Sequence, residues 1–116
     1  MKHHTFKNKL TLKWYQKTYW ETKDKVVCEV SVLFKYGKDQ ELQFNFLIDN
    51  PYLMMMAYDF FKINRKYNLC IYYDALDIKC ISIYYYDDEK NKKEMTIDVE
   101  NILYLDKIMI FFSANK

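Results

Sequence analysis

The sequence predicts an α+β domain: an antiparallel sheet of six or seven strands packed on one amphipathic helix, in the order βββ-α-β(β)ββ. Three observations carry this prediction. Apolar and polar residues alternate with period two through residues 6–48. A single stretch, opened by Asp49-Asn50-Pro51, switches to period 3.6. Alternation then returns in the second half. At 116 residues the chain is one domain, 1–116, long enough for a self-standing core.

The elements follow in order. Phe6, Leu10, Leu12 and Trp14 share one parity against Lys7, Lys9, Thr11 and Lys13, the pattern of a half-buried strand. Its lysines suit a sheet edge, where charge blocks unwanted pairing. Val26, Cys28, Val30, Val32 and Phe34 repeat the pattern, and Tyr36-Gly37-Lys38-Asp39 reads as a hairpin tip. Leu42, Phe44, Phe46 and Ile48 make a third strand. If Val27, Leu33 and Leu47 are also buried, the sheet curls toward a half-barrel.

Asp49 or Asn50 caps a helix that Pro51 begins. Over 51–67, Leu53, Met56, Ala57, Phe60, Ile63 and Tyr67 fall on one apolar stripe. Lys62, Arg65 and Lys66 gather in its last turn, with Asn68 as the C-terminal cap. Residues 69–73 fit a strand or a further helical turn. Residues 79–86 read as a strand with Ile81, Ile83 and Tyr85 on one face. A charged loop over 87–94 leads to a strand through Met95, Ile97 and Val99. Residues 100–106 continue extended or turn, and 107–113 read as a final apolar strand.

Composition excludes several chemistries. One glycine, Gly37, cannot build a phosphate-cradling loop. The two histidines, His3 and His4, stand next to the first residue, a poor place for a catalytic or metal-ligating imidazole. Asp77-Ile78-Lys79 fits one element of a carboxylate nuclease, yet such tripeptides are common in a lysine-rich chain and also suit a turn entering a strand. The expectation is a non-enzymatic protein with no catalytic, cofactor or metal site. Cys28, Cys70 and Cys80 show no CxxC spacing, a Cys70–Cys80 bridge is not required, and no apolar leader precedes them, which predicts reduced thiols in the cytoplasm. The longest apolar run, 52–58, is too short to span a bilayer, so no membrane partner is expected.

What remains is surface chemistry. Twelve tyrosines, two tryptophans and six methionines match the residue types enriched in protein interfaces. Met54-Met55-Met56 cannot all face one core, so Met55 should be exposed. Tyr84-Tyr85-Tyr86 runs into Asp87-Asp88-Glu89, and Tyr72-Tyr73-Asp74 repeats that tyrosine–acid pattern. These residues are the candidate protein contacts. Lysine, asparagine, isoleucine, tyrosine and phenylalanine are favoured over arginine, glycine, proline and alanine, as A/T-rich codons would produce. Coding bias is therefore an alternative source of the tyrosine excess. The functional expectation is an accessory protein of a phage or mobile element that inhibits a host or defence enzyme, for example a nuclease, by direct binding.

Two alternatives stand beside it. Residues 1–25 carry a charge of +5 and the remainder −3. Lys7, Lys9, Lys13 and Lys17 with Trp14 and Trp20 could bind single-stranded nucleic acid through phosphate neutralisation and base stacking. A homo-oligomer built by edge-strand or helix pairing would place Met55 and Tyr85 in a symmetric contact.

Overall fold

β1 (Lys2–Glu21) is one bent strand of 20 residues, and it organises the sheet. Its first half pairs antiparallel with β4 (Lys66–Asp74), from Lys2↔Tyr73 to Thr11↔Lys66. Its second half pairs with β2 (Val26–Tyr36), from Leu10↔Tyr36 to Glu21↔Val26. Register shifts between Phe6 and Leu10 and between Thr18 and Trp20 mark bulges, which bend a strand and increase its twist. The computed structural model describes residues 2–21, 26–36, 40–61, 66–75 and 77–115, and of 7–21, 26, 36 and 51 the backbone alone.

The remaining elements are β3 (Gln40–Ile48), α1 (Pro51–Phe61), β5 (Asp77–Tyr86), β6 (Lys92–Asp98), a 3₁₀ turn (Val99–Asn101), β7 (Ile102–Leu103) and α2 (Leu105–Asn115). Every strand pairing is antiparallel, and the sheet order is β6-β5-β4-β1-β2-β3-β7. The fold is therefore α+β.

The order of the edges dictates the shape. β6 and β7 lie at opposite edges, yet only Val99–Asn101 separates them in the chain. Laid flat, seven strands would put these edges roughly 29 Å apart at ~4.8 Å per strand. The connection from Asp98 to Ile102 reaches at most about 14 Å. The sheet must therefore curl until its edges approach, and the 3₁₀ turn clasps them without closing a barrel.

The concave face holds the core. It gathers Val30, Val32 and Phe34 of β2, Leu42, Phe44 and Phe46 of β3, Leu69 and Ile71 of β4, and Ile81 and Ile83 of β5. The two helices plug opposite ends of this trough. The Phe60 ring of α1 packs at a tilt against Tyr85 and Tyr67, with centroids at 5.2 and 5.4 Å, and Phe61 meets Phe46. At the other end Phe111 and Phe112 of α2 meet Phe6 and Tyr73 at 5.1 and 5.0 Å. The convex face carries polar pairs between strands: Ser31 Oγ donates to Asn45 Oδ1 at 2.9 Å and accepts from Gln43 Nε2 at 3.3 Å.

Several expectations need correction. Residues 107–113 are helical, so the described residues form two helices. Ile108, Phe111 and Phe112 recur at i, i+3 and i+4, and all three are buried. The first helix is described as far as Phe61 and does not reach residue 67. Lys66, Tyr67 and Asn68 open β4 instead, and Asn68 is an interior strand residue, not a cap. Lys62, Ile63 and Arg65 lie outside the described residues, as does the Gly37 turn. Val99 belongs to the 3₁₀ turn, and β6 already begins at Lys92 within the expected charged loop. β1 is central in the sheet, not an edge. Val27 is buried, as the half-barrel condition required, while Leu33 and Leu47 are half-buried.

Candidate functional site

The apolar side chains left outside the core lie mainly on the helices. Asn50 Oδ1 accepts the Tyr52 main-chain N–H at 2.8 Å, capping α1. Pro51 occupies the first helical position, where its missing N–H costs nothing. The helix then buries Ala57, Phe60 and Phe61, spaced i, i+3 and i+4, and half-buries Met54. Everything else apolar on α1 faces outward after Pro51: Tyr52 is 78% exposed, Met55 69%, Met56 61%, with Leu53 and Tyr58 near half. Soluble monomers rarely leave so contiguous an apolar strip uncovered.

Leu53 and Met56 were expected on the buried stripe. The pair Phe60–Phe61 overrides that pattern, because two adjacent phenylalanines anchored on Phe46, Tyr67 and Tyr85 set the rotation of the helix. The signal for the missed residues Tyr52, Met56 and Tyr58 was the adjacent bulky pair, because adding Phe61 to the buried set turns the helix away from the Met56 side. Leu53, seven residues before Phe60, shares the buried face and is exposed in the first turn of the helix.

A second apolar surface belongs to α2. Tyr104 enters the helix at φ 60°, an uncommon left-handed conformation for a bulky residue, and its carbonyl accepts the Lys107 N–H at 3.1 Å. Met109 and Ile110 point away from the core. β7 covers β3 only at Asn45 and Phe46. Beside the remainder of that edge runs a groove of about 520 Å³, lined by Leu33, Gln40, Gln43, Lys107, Ile110 and Asn115 among others. A smaller cleft of about 210 Å³ follows the seam between β3 and β6, with Asp49, Leu53, Thr96, Asp98 and Asn101 on its walls.

The tyrosine–acid candidates are dispersed. Tyr85 is 7% exposed, packed between Phe60 and Tyr67, so it cannot serve as a surface contact or a symmetric one. Alternation forces this, since Tyr84 and Tyr86 share the opposite face of β5. Tyr73 packs on Phe112, and Tyr72 lies beside His3 on the convex face. Tyr86 is exposed and meets Tyr84 edge-to-face at 6.0 Å. Asp87 Oδ1 accepts the N–H groups of Glu89 and Asn91, which makes it the organiser of the β5–β6 turn. Asp88 and Glu89 are exposed.

A polar chain crosses this face. Ser82 Oγ donates to Glu94, Glu94 pairs with Lys92 Nζ at 3.2 Å, and Lys92 Nζ sits 4.4 Å above the Tyr84 ring. The Ser82 hydrogen bond, with Lys92 helping, holds the Glu94 carboxyl below the usual carboxylate range. Glu94 in turn raises Lys92. Burial pushes the Tyr84 hydroxyl up, and a hydrogen bond with Cys70 does the same to Tyr72.

The three cysteines are free thiols. Cys70 is buried and accepts the Thr5 hydroxyl at 3.3 Å. Burial, followed by the Asp98 charge, raises Cys80, so at neutral pH it is a thiol and a weak nucleophile. Among the described residues, no group of three or more His, Cys, Asp or Glu side chains could hold a metal ion. Among them, too, no helix is long and apolar enough to cross a membrane.

The side chains of Lys7, Lys9, Lys13, Trp14, Lys17 and Trp20 lie outside the described ones, but their backbone is placed in β1. Lys13 and Lys17 stand opposite Leu33 and Glu29, whereas Trp14 stands opposite the core residue Val32. The register shift after Thr18 brings Trp20 opposite Val27, into the same set of β2 rows as Lys13 and Lys17. Comparison with protein-family models, with curated proteins and with solved structures finds no match to this chain.

Proposed function

We propose that this chain is a small non-enzymatic protein-binding module. The observation that supports it is the distribution of apolar surface: the sheet hides its apolar face, while both helices leave methionine, tyrosine and isoleucine outside. These residue types bring large contact area at low entropic cost, and methionine adapts to irregular partners. The α2 groove adds Ile110 beside an incompletely covered strand edge, a place where a partner segment can dock by both side chain and main chain. In the form that its composition suits, the module is a phage or mobile-element accessory product that acts in the cytoplasm. It inhibits a host or defence enzyme, such as a nuclease, by covering a working surface.

The test is affinity capture from lysate of a low-G+C bacterium with wild-type protein and Ile110→Asp. The reading expects a stoichiometric protein that the substitution releases. No stoichiometric partner, or capture of nucleic acid in its place, overturns it.

The shared rows of Lys13, Lys17 and Trp20 favour one second reading, single-stranded nucleic-acid binding along β1. It expects oligonucleotide affinity that falls steeply with salt and is lost in the triple alanine variant of those residues. Absence of binding at low salt removes it.

A further inference from the structure

We propose that a second copy of this chain covers the exposed face of α1, the two helices packing antiparallel about a two-fold axis between Met55 and Met56. The inference rests on the reading of the helix faces as protein contacts. It assigns α1 to self-association and leaves the α2 groove to a foreign partner.

The sequence of the strip is self-complementary under that symmetry. Along an antiparallel pair centred between 55 and 56, Met55 meets the partner's Met56, and Tyr52 meets the partner's Asp59. Tyr52 and Asp59 are seven residues apart, about 10 Å along the axis at 1.5 Å per residue, and both are exposed. The Tyr52 hydroxyl can therefore donate to the carboxylate of the partner's Asp59 at each end of the contact, a hydrogen bond to a charged acceptor. Asp59 is the only charged residue in α1. The same two-fold axis sets the two Asp59 carboxylates about one Debye length apart, where salt screens their repulsion.

The area fits a weak dimer. Tyr52, Leu53, Met55, Met56 and Tyr58 together expose on the order of 600 Å² of side chain, given that a fully buried aromatic covers 150–250 Å². That is the lower end of what each partner of a specific complex contributes, roughly 600–800 Å². The helix is also presented rigidly: Phe60 and Phe61 fix it to the sheet, and the buried Tyr67 hydroxyl ties its C-terminal turn.

Sedimentation analysis of the whole chain across about 1–500 μM tests this. The expected result is a mass rising from 14.3 kDa towards twice that value. Met55→Asp is expected to remain monomeric at every concentration with an unchanged circular dichroism spectrum and, at concentrations low enough for the wild type to be monomeric too, an unchanged melting curve, because Met55 is exposed. Tyr52→Phe is expected to weaken dimerisation about a hundredfold, the loss of a hydrogen bond to a charged group at both ends of the contact. Ile110→Asp is expected to dimerise like the wild type. A wild-type mass fixed at 14.3 kDa, or a Met55→Asp variant that dimerises normally, overturns the proposal. A monomer that still captures a partner through Ile110 refutes the dimer alone. A Met55-dependent dimer that captures nothing supports the dimer and refutes the foreign-partner reading.

Discussion

The Tyr67 hydroxyl, fully buried, donates to the main-chain carbonyl of Phe60 at 2.6 Å. One side chain thus joins the first residues of β4 to the far end of α1. Tyr67→Phe keeps the ring and removes that hydrogen bond. The expected cost is about 1–2 kcal/mol, read as a lower urea midpoint at unchanged slope.

Glu94 links stability to acid. Its carboxyl is held below the ordinary range, first by Ser82, so the folded state binds its proton less readily than the unfolded chain does. The stabilisation is complete above the unfolded pKa and is lost as pH falls through the folded one. Glu94 is partly exposed, which limits the effect to below ~1 kcal/mol. Ser82→Ala should flatten the decline in melting temperature between pH 5 and pH 3, about the range in which carboxylates titrate.

Cys80 is the half-exposed thiol, and burial raises it. Iodoacetamide should modify one cysteine in the native protein. The rate should climb with pH beyond the point where an ordinary thiol has levelled off, and Cys80→Ser should abolish it. In denaturant three cysteines should react. Mass spectrometry reads both numbers.

Ala75 joins β4 to β5 at φ 51°, a conformation that costs a residue with a Cβ about 1–2 kcal/mol. Ala75→Gly removes that strain and adds some unfolded-state entropy. A net gain of up to about 1 kcal/mol is expected, seen as a higher thermal midpoint.

Strand identity was legible where alternation was strict. Val30, Val32 and Phe34, then Leu42, Phe44 and Phe46, sit on the core face as their spacing requires. Strand neighbours were not legible, because period two says that a segment is extended and nothing about what lies beside it. β1 meets β4 across more than fifty residues, a relation that no local pattern encodes. The run Ile108-Met109-Ile110-Phe111-Phe112 satisfies a buried strand and a helix face equally, and its place at the mouth of the trough decides for the helix. On the candidate surface, the exposure of Met55 followed from geometry alone. The rotation of α1 that exposes Met56 depended on three aromatic neighbours from the strands.

The first strand waits longest for its second neighbour. Thr5 finds Cys70 only after 65 further residues have been synthesised. At the usual rate of translation, about 5–20 residues per second, that is a wait of several seconds. During it the first half of β1 offers the cell an open row of main-chain donors and acceptors, the template on which nascent chains aggregate. Lys2, Lys7 and Lys9 lie along that stretch. Their charges guard an edge that exists on the ribosome and vanishes in the finished protein.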